Sequence, residues 1–331
     1  MRVVKAVCGL IAWCLGSAIG TAAAQTPGAG EWKPGKNVDI VVQSAAGGSS
    51  DRSARVAQRL LQANPAIPSV TVTNRGGGGG TVAWTFMTQH PGDAHYLATF
   101  SSTLLTNHIL GVSPLKYQDF TPLSILLREY IVFAVRPDSA IASGRDLVER
   151  LKKDVTSVSF AFATARGNHN HVMIGMLIRA AGADPKKAKV VIYNSGGEAT
   201  TAMLGGHIDV LVAAPANVIP HIQGGKARAL GVTAPQRQAG GLAGAPTFKE
   251  QGIDAVFFSW RGFMGPKGLT PAQVAFWDQA FARLVQADEW KKDLEKNAWA
   301  EDFMASAETR KHLDAENELL ARMLADLGVA K

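Results

Sequence analysis

Along the chain one pattern of apolar and polar positions recurs: a short β-branched run, a small polar turn, then apolar residues at helical spacing. VDIVV at residues 38–42 has the length and branching of a buried strand and stops at SAAGGSSD, residues 44–51. In the segment that follows, Ala54, Ala57, Leu60 and Leu61 share one helical face, while Arg52, Arg55 and Arg59 fall on the opposite, solvated side. Ser50 or Asp51 is placed to cap that helix. SVTVTN runs into RGGGGG at residues 75–80 and predicts a strand, a glycine loop and a helix over 81–90. HYLATF at 95–100 predicts a third strand, and SSTLLTN another turn into a helix.

The scheme resumes after Tyr130. IVFAV at 131–135 reads as a strand and residues 143–152 as a helix; SVSFAFA leads through TARGNHNH into a helix over 172–181. KVVIYNSGGEATTAMLGG and IDVLVAAPANVIPHIQGG repeat strand, turn and helix, and ARALGVTA reads as a returning strand. Thr270 and Pro271 start a further helix, and Leu313, Leu320, Met323, Leu324 and Leu327 mark the last one. Such repeats predict an α/β fold with mostly parallel sheets, whose ligands bind outside the carboxyl ends of the strands. Chain crossings near 126–132 and 228–234 predict two lobes on a hinge, with a cleft that closes on a ligand. The expected division is 25–128 with 233–331 for the first lobe, and 129–232 for the second.

Ahead of this pattern stands a leader. Arg2 and Lys5 precede an apolar stretch over 7–19, and Ala22, Ala23 and Ala24 form a small-residue cleavage site, so a signal peptide cut after Ala24 is expected. The apolar stretch is short for a membrane span. Bulky Trp13 before Cys14 argues against lipidation of that cysteine. Cys8 and Cys14 both fall in the leader, so the exported chain relies on its core and not on disulfides, which fits a large periplasmic protein. The material for that core is present, with 47% apolar and only 18% charged residues. Loss of Arg2 and Lys5 lowers the formal charge from +7 to +5, and the basic residues are scattered, which disfavours nucleic acid as a partner.

Enzyme signatures are missing. There is no G-x-S-x-G elbow, and RGGGGG is followed by Thr81-Val82 with no lysine to make a phosphate loop. His169 and His171 form H-x-H, with His207 and His221 further on, but no HExxH or cysteine pattern accompanies them, so no metal or cofactor is expected. What recurs is turn chemistry: SAAGGSSD, FSSTLLTN, TARGNHNH and NSGGEATT each bring hydroxyls, amides and free N–H groups to a helix start. A helix N-terminus favours an anion by up to about 1–2 kcal/mol. Two or three around one carboxylate reach toward micromolar affinity, about −8 kcal/mol, without a charged side chain.

The order of VDIVVQSAAGGSSD, VTNRGGGGG, TARGNHNH, VIYNSGGEA, GGHIDVLVAAPANVIPHIQGGKARALGVTAPQR, PTFKEQGID and WRGFMGPKGLTPAQ resembles the Bug (Bordetella uptake gene) family, the periplasmic solute-binding proteins of tripartite tricarboxylate transporters. The likeness is colinear over nearly the whole exported chain; SWRGFMGPKGL and VTAPQR look most like its tricarboxylate-binding members. It implies a two-lobed periplasmic-binding-protein fold of type II closing on a carboxylate, in a monomeric receptor that hands its solute to membrane permease subunits. Carried over by motif, it nominates Ser44, Ala46, Gly47, Gly48 and Ser49 from the first lobe, with Asp51 as a helix cap, and Ser101, Ser102 and Thr103 from the next turn. From the second lobe it nominates Arg166, Asn168, His169, Asn170 and His171, then Asn194, Ser195, Gly196 and Gly197, and Pro215 to Asn217.

Three departures bear on the solute. Gln43, Ser44, Ala45 and Ala46 stand where the family commonly has Phe and Pro, which widens the pocket. Arg166 adds a charge able to pair with a second carboxylate, so Arg166→Ala is expected to weaken dicarboxylates selectively. Val212, Ala213 and Ala214 lack the acid that some amino-acid-binding members carry there, which argues against an ammonium-bearing ligand. The expected solute is a di- or tricarboxylate or an aromatic acid. A sensory adaptor and an exported enzyme on the same fold are the alternatives, and the role of Arg261 in SWRGF stays open.

Overall fold

The computed structural model describes residues 31–163, 165–326 and 328; the expected leader and its cleavage after Ala24 lie outside them. Along the chain, β1 (Val38–Val42) leads to α1 (Ser49–Gln62), β2 (Val70–Asn74) to α2 (Thr81–Thr88), and β3 (Tyr96–Phe100) through α3 (Thr103–Ile109) to β4 (Phe120–Tyr130). A second series follows: β5 (Val132–Val135), α4 (Gly144–Lys153), β6 (Ser159–Ala163), α5 (His169–Ala180), β7 (Lys189–Tyr193), α6 (Gly196–Leu204), β8 (Val210–Ala213), α7 (Pro215–Gln223) and β9 (Arg228–Val232). The chain closes with β10 (Phe258–Pro266), α8 (Pro271–Gln286), α9 (Asp288–Asn297), β11 (Trp299–Met304) and α10 (Ser306–Asp326). No helix among the described residues is long and apolar enough to cross a membrane.

The strands form two sheets, one for each lobe. The first is six-stranded in the order β11-β4-β10-β3-β1-β2, and the second five-stranded in the order β7-β6-β8-β5-β9. β1 runs parallel to β2 and β3, and β6 parallel to β7 and β8, as strand–helix–strand units require. β10 is antiparallel to β3 and β4, and β5 antiparallel to β8 and β9.

Alternation along β1 explains why its VDIVV run is apolar nearly throughout. Val38, Ile40 and Val42 pack on one face of the sheet with Trp277 and Phe281 of α8. Val41 points the other way, into a cluster with Trp84, Phe100, Trp260 and Leu313. A sheet covered on both faces needs both sets. The second sheet is built alike, with Phe133, Phe160 and Phe162 on one face and Val132, Ala134 and Ala161 on the other.

Two differences from the sequence reading matter. The expected helix over 172–181 begins earlier, at His169, because the Asn168 side chain accepts the His171 N–H at 3.1 Å and caps the helix there. The chain also stays with the second lobe past residue 232: Phe248, Ile253 and Ala255 pack in that lobe's core before β10 begins at Phe258. The crossings therefore lie side by side at Ile131 and Phe257, and buried Thr233 stitches them together. Its Oγ1 accepts the Ile131 N–H at 2.8 Å and donates to the Phe257 carbonyl at 2.5 Å. Thr233→Val keeps the shape but leaves a buried N–H without an acceptor, so urea unfolding is expected to lose about 1–2 kcal/mol. A midpoint equal to wild type would show that the stitch carries no stability.

Candidate functional site

Four helices of different origin point their N-termini at one place. The first turn of α1 brings Gly48, Ser49 and Ser50; α5 brings Asn168, His169 and Asn170; α6 brings Ser195 and Gly196; α7 brings Asn217. With Ser44, Arg261 and the end of β8 they line a cavity of about 50 Å³ between the lobes. It adjoins an outer recess of about 450 Å³ walled by the glycine loop 76–80, Asn74, Asn194 and Glu198, with Ser44 shared between the two. Each terminus presents N–H groups that no turn of its own helix can satisfy.

Local hydrogen bonds hold these turns open toward the cavity. Ahead of α1, the Gln43 amide donates to Ser50 Oγ at 3.0 Å and its carbonyl takes the Thr99 hydroxyl. Gly48 at the N-cap has no side chain to offer, and Asp51 reaches back instead to the Gly47 N–H at 2.9 Å, so neither Ser50 nor Asp51 sits at the N-cap. Burial works to raise the Asp51 pKa, but the Arg55 guanidinium, the Gly47 N–H and Asn74 outweigh it and hold the carboxyl below its usual range. In α6 the Ser195 hydroxyl accepts the Glu198 N–H at 3.2 Å, leaving the earlier N–H groups to the cavity.

The lobes touch around this cavity. Half-buried Arg52 donates from Nη1 to Asn217 Oδ1 at 2.9 Å, tying α1 to α7, so it is not part of the solvated face expected for it. Gly79 lies against Ala165, and Gly167 against Leu110, each pair with one residue from either lobe.

Of the residues nominated from sequence, Ser44, Gly48, Ser49, Asn168, His169, Asn170, Ser195, Gly196 and Asn217 meet at the cavity. The others stand elsewhere. Ala46 and Gly47 are exposed on the outside of their bend. Ser101, Ser102 and Thr103 are buried at the start of α3, whose Leu104 and Leu105 anchor it in the first lobe's core. His171 turns into the second lobe, stacking on Phe162 and accepting the Gly167 N–H at 2.9 Å. Arg166 is exposed and off the cavity wall, so the geometry gives it no grip on a solute there.

The cation at the cavity is instead Arg261 of β10, only 6% exposed. Behind it Glu129 of β4, fully buried, forms an ion pair with its Nη2 and accepts from Ser49 Oγ at 2.8 Å and Trp299 Nε1 at 3.2 Å. The signal for this pair in the sequence was charge set into two apolar runs, Arg128-Glu129 in LLREYIV and Arg261 in FFSWRGFMG. Three buried polar atoms on the cavity's lining residues have no partner among the described residues: His169 Nδ1, Asn170 Oδ1 and Arg261 Nε. Burial, and then the Arg261 charge, push the His169 pKa well below its ordinary 6.5, so the ring is neutral.

A two-lobed α/β molecule with helix N-termini and one arginine lining an interlobe cavity is a periplasmic binding protein by architecture. The chain belongs to the tripartite tricarboxylate transporter family receptors (TctC), whose model matches residues 54–329, a family of periplasmic solute-binding proteins. It is 27% identical over 278 residues to Protein BugT of Bordetella pertussis, covering 82% of this chain and 83% of that one. Its fold is similar to a Rhodopseudomonas palustris protein solved with adipate (TM-score 0.80, 20% identity, 90% of this chain and 99% of that one). MatC from Rhodopseudomonas palustris with bound malate is also similar (TM-score 0.74, 19% identity, 90% of this chain and 100% of that one).

Proposed function

We propose that this receptor binds an aliphatic di- or tricarboxylate and delivers it to the membrane permease subunits of a tripartite tricarboxylate transporter. The observation that carries the reading is the convergence of four helix N-termini, with Arg261, on one cavity. Each terminus contributes about 0.3–1 kcal/mol for an anion near the surface and up to about 2 when partly buried. Closure excludes water and strengthens every such contact. The malate and adipate held by the two similar folds support an acid as the solute.

The lining narrows the class. No Phe, Tyr or Trp stands among the described residues of the cavity wall, which disfavours the aromatic acids that the sequence left open. No Asp or Glu stands among the described residues of the cavity wall, and Glu129 behind it is committed to Arg261, Ser49 and Trp299, so the cavity itself offers no carboxylate to an ammonium group. Thermal shift and calorimetry over succinate, malate, adipate, citrate, benzoate and glutamate test this. A solute at 100 times its Kd stabilises the folded state by about 2.7 kcal/mol, so a true ligand raises Tm by several degrees. The aliphatic acids are expected to do so and benzoate and glutamate not. A flat response to every carboxylate at millimolar concentration would overturn the reading.

A further inference from the structure

A buried ion pair adds little net stability and is often replaceable by apolar residues of the same size. Arg261 and Glu129 nevertheless stand where β10 and β4 reach the cavity, on strands that lead to the hinge. The guanidinium is held on three sides. Its Nη1 donates to Ser259 Oγ at 2.5 Å and to the Trp260 carbonyl at 2.8 Å, and its Nη2 meets Glu129. Its Nε–H, although buried, has no acceptor. A charged donor left unmet in a packed interior is costly, and the cost is removed by an acceptor that arrives from the cavity.

The helix N-termini already supply a place for one acid group, built from main-chain dipoles and hydroxyls. Arg261 is different in kind: a formal charge with planar donors, suited to a carboxylate. We infer that Arg261 reads a second acid group of the bound solute, and that Glu129 is a positioning residue that presents the guanidinium with its Nε–H free. This deepens the receptor reading and rests on it. A solute with two acids spans both subsites; its single-acid counterpart fills one and leaves the arginine donor unmet. The site thus selects by the number of acid groups, and Arg261 takes the place that the sequence assigned to Arg166.

The test compares matched pairs that differ only in one carboxylate: succinate with butyrate, and adipate with hexanoate. Calorimetry on the whole exported protein is expected to give a Kd at least about 10-fold lower for the better-fitting diacid than for its partner, the span of one charged hydrogen bond. In Arg261→Gln that ratio is expected to fall to near one. Because that change leaves the Glu129 carboxylate unpaired, Glu129→Gln/Arg261→Gln is measured alongside, with folding checked by circular dichroism, and the same loss of ratio is expected. A ratio retained in the variants would reduce Arg261 to a strut between β4 and β10. Wild-type protein that binds diacid and monoacid alike would overturn the inference and leave the receptor reading standing; protein that binds neither would overturn that reading as well.

Discussion

Gly79→Ala is expected to raise the Kd for the solute about 10- to 100-fold while the protein stays folded. The residue has φ +63°, and a Cβ built on it would lie 2.6 Å from the Cβ of Ala165 across the cleft. Ala165 is short and cannot swing away, so the closed state bears an overpacking penalty of about 1–3 kcal/mol, which converts to the stated loss of affinity. A second cost, about 1–2 kcal/mol for a left-handed alanine, weighs on open and closed forms alike and lowers stability only. Gly111→Ala separates the two. Gly111 has φ +68° with nothing within 4 Å of the added Cβ, so it carries the backbone cost without the clash. Equal solute affinities in the two variants would show that Gly79 does not govern closure.

The glycine loop illustrates what could be read from sequence and what could not. RGGGGG, with no lysine after it, was legible as a glycine loop that is no phosphate loop, but not what it approaches. The structure gives four successive positive φ values from Gly77 to Gly80 and a contact with the opposite lobe. VDIVV and its turn were legible for the same reason: strand period, glycine and helix onset are local features. Tertiary packing decided the rest. The SSTLLTN turn has the composition of the others, yet α3 buries its first turn in the first lobe and keeps Ser101 to Thr103 from the cavity. Arg166 was the cation that the sequence pointed to because it sits in a binding loop, but it is exposed and is not among the residues that line the cavity.

The hinge strands were the least legible part. β4 contains Pro122, which argues against a strand when read locally, and β10 carries Gly262 and Gly265 beside its arginine. Both strands are specified by pairing with one another and not by their own pattern. Glu129, beside Arg128, and Arg261 each look misplaced when read locally, as charge set into an apolar run. Only the fold brings them together and turns two anomalies into one ion pair at the cavity.

Acid is expected to weaken this protein in a window set by its two buried histidines. Burial, with the Arg166 charge second, lowers the His171 pKa from 6.5 to about 4, and His169 is lowered as well. Both rings are therefore neutral in the folded state at pH 5, while in the unfolded chain they take up protons below about pH 6.5. Stability is complete above the unfolded value and declines as pH falls toward the folded one. For His171, only 8% exposed, the loss by pH 4.5 is about 2–3 kcal/mol. Asp51, with its own lowered pKa, acts only in the more acidic range where carboxylates titrate, so the two effects do not overlap above pH 5. Urea unfolding at pH 7.5, 6, 5 and 4.5 measures the slope. His171→Gln keeps an acceptor for the Gly167 N–H but cannot titrate, so it should lose less over that range by the His171 share, with His169 still contributing. If wild type and His171→Gln lost stability in parallel, the acid sensitivity would have to arise elsewhere, and the neutral ring packed on Phe162 would not be its source.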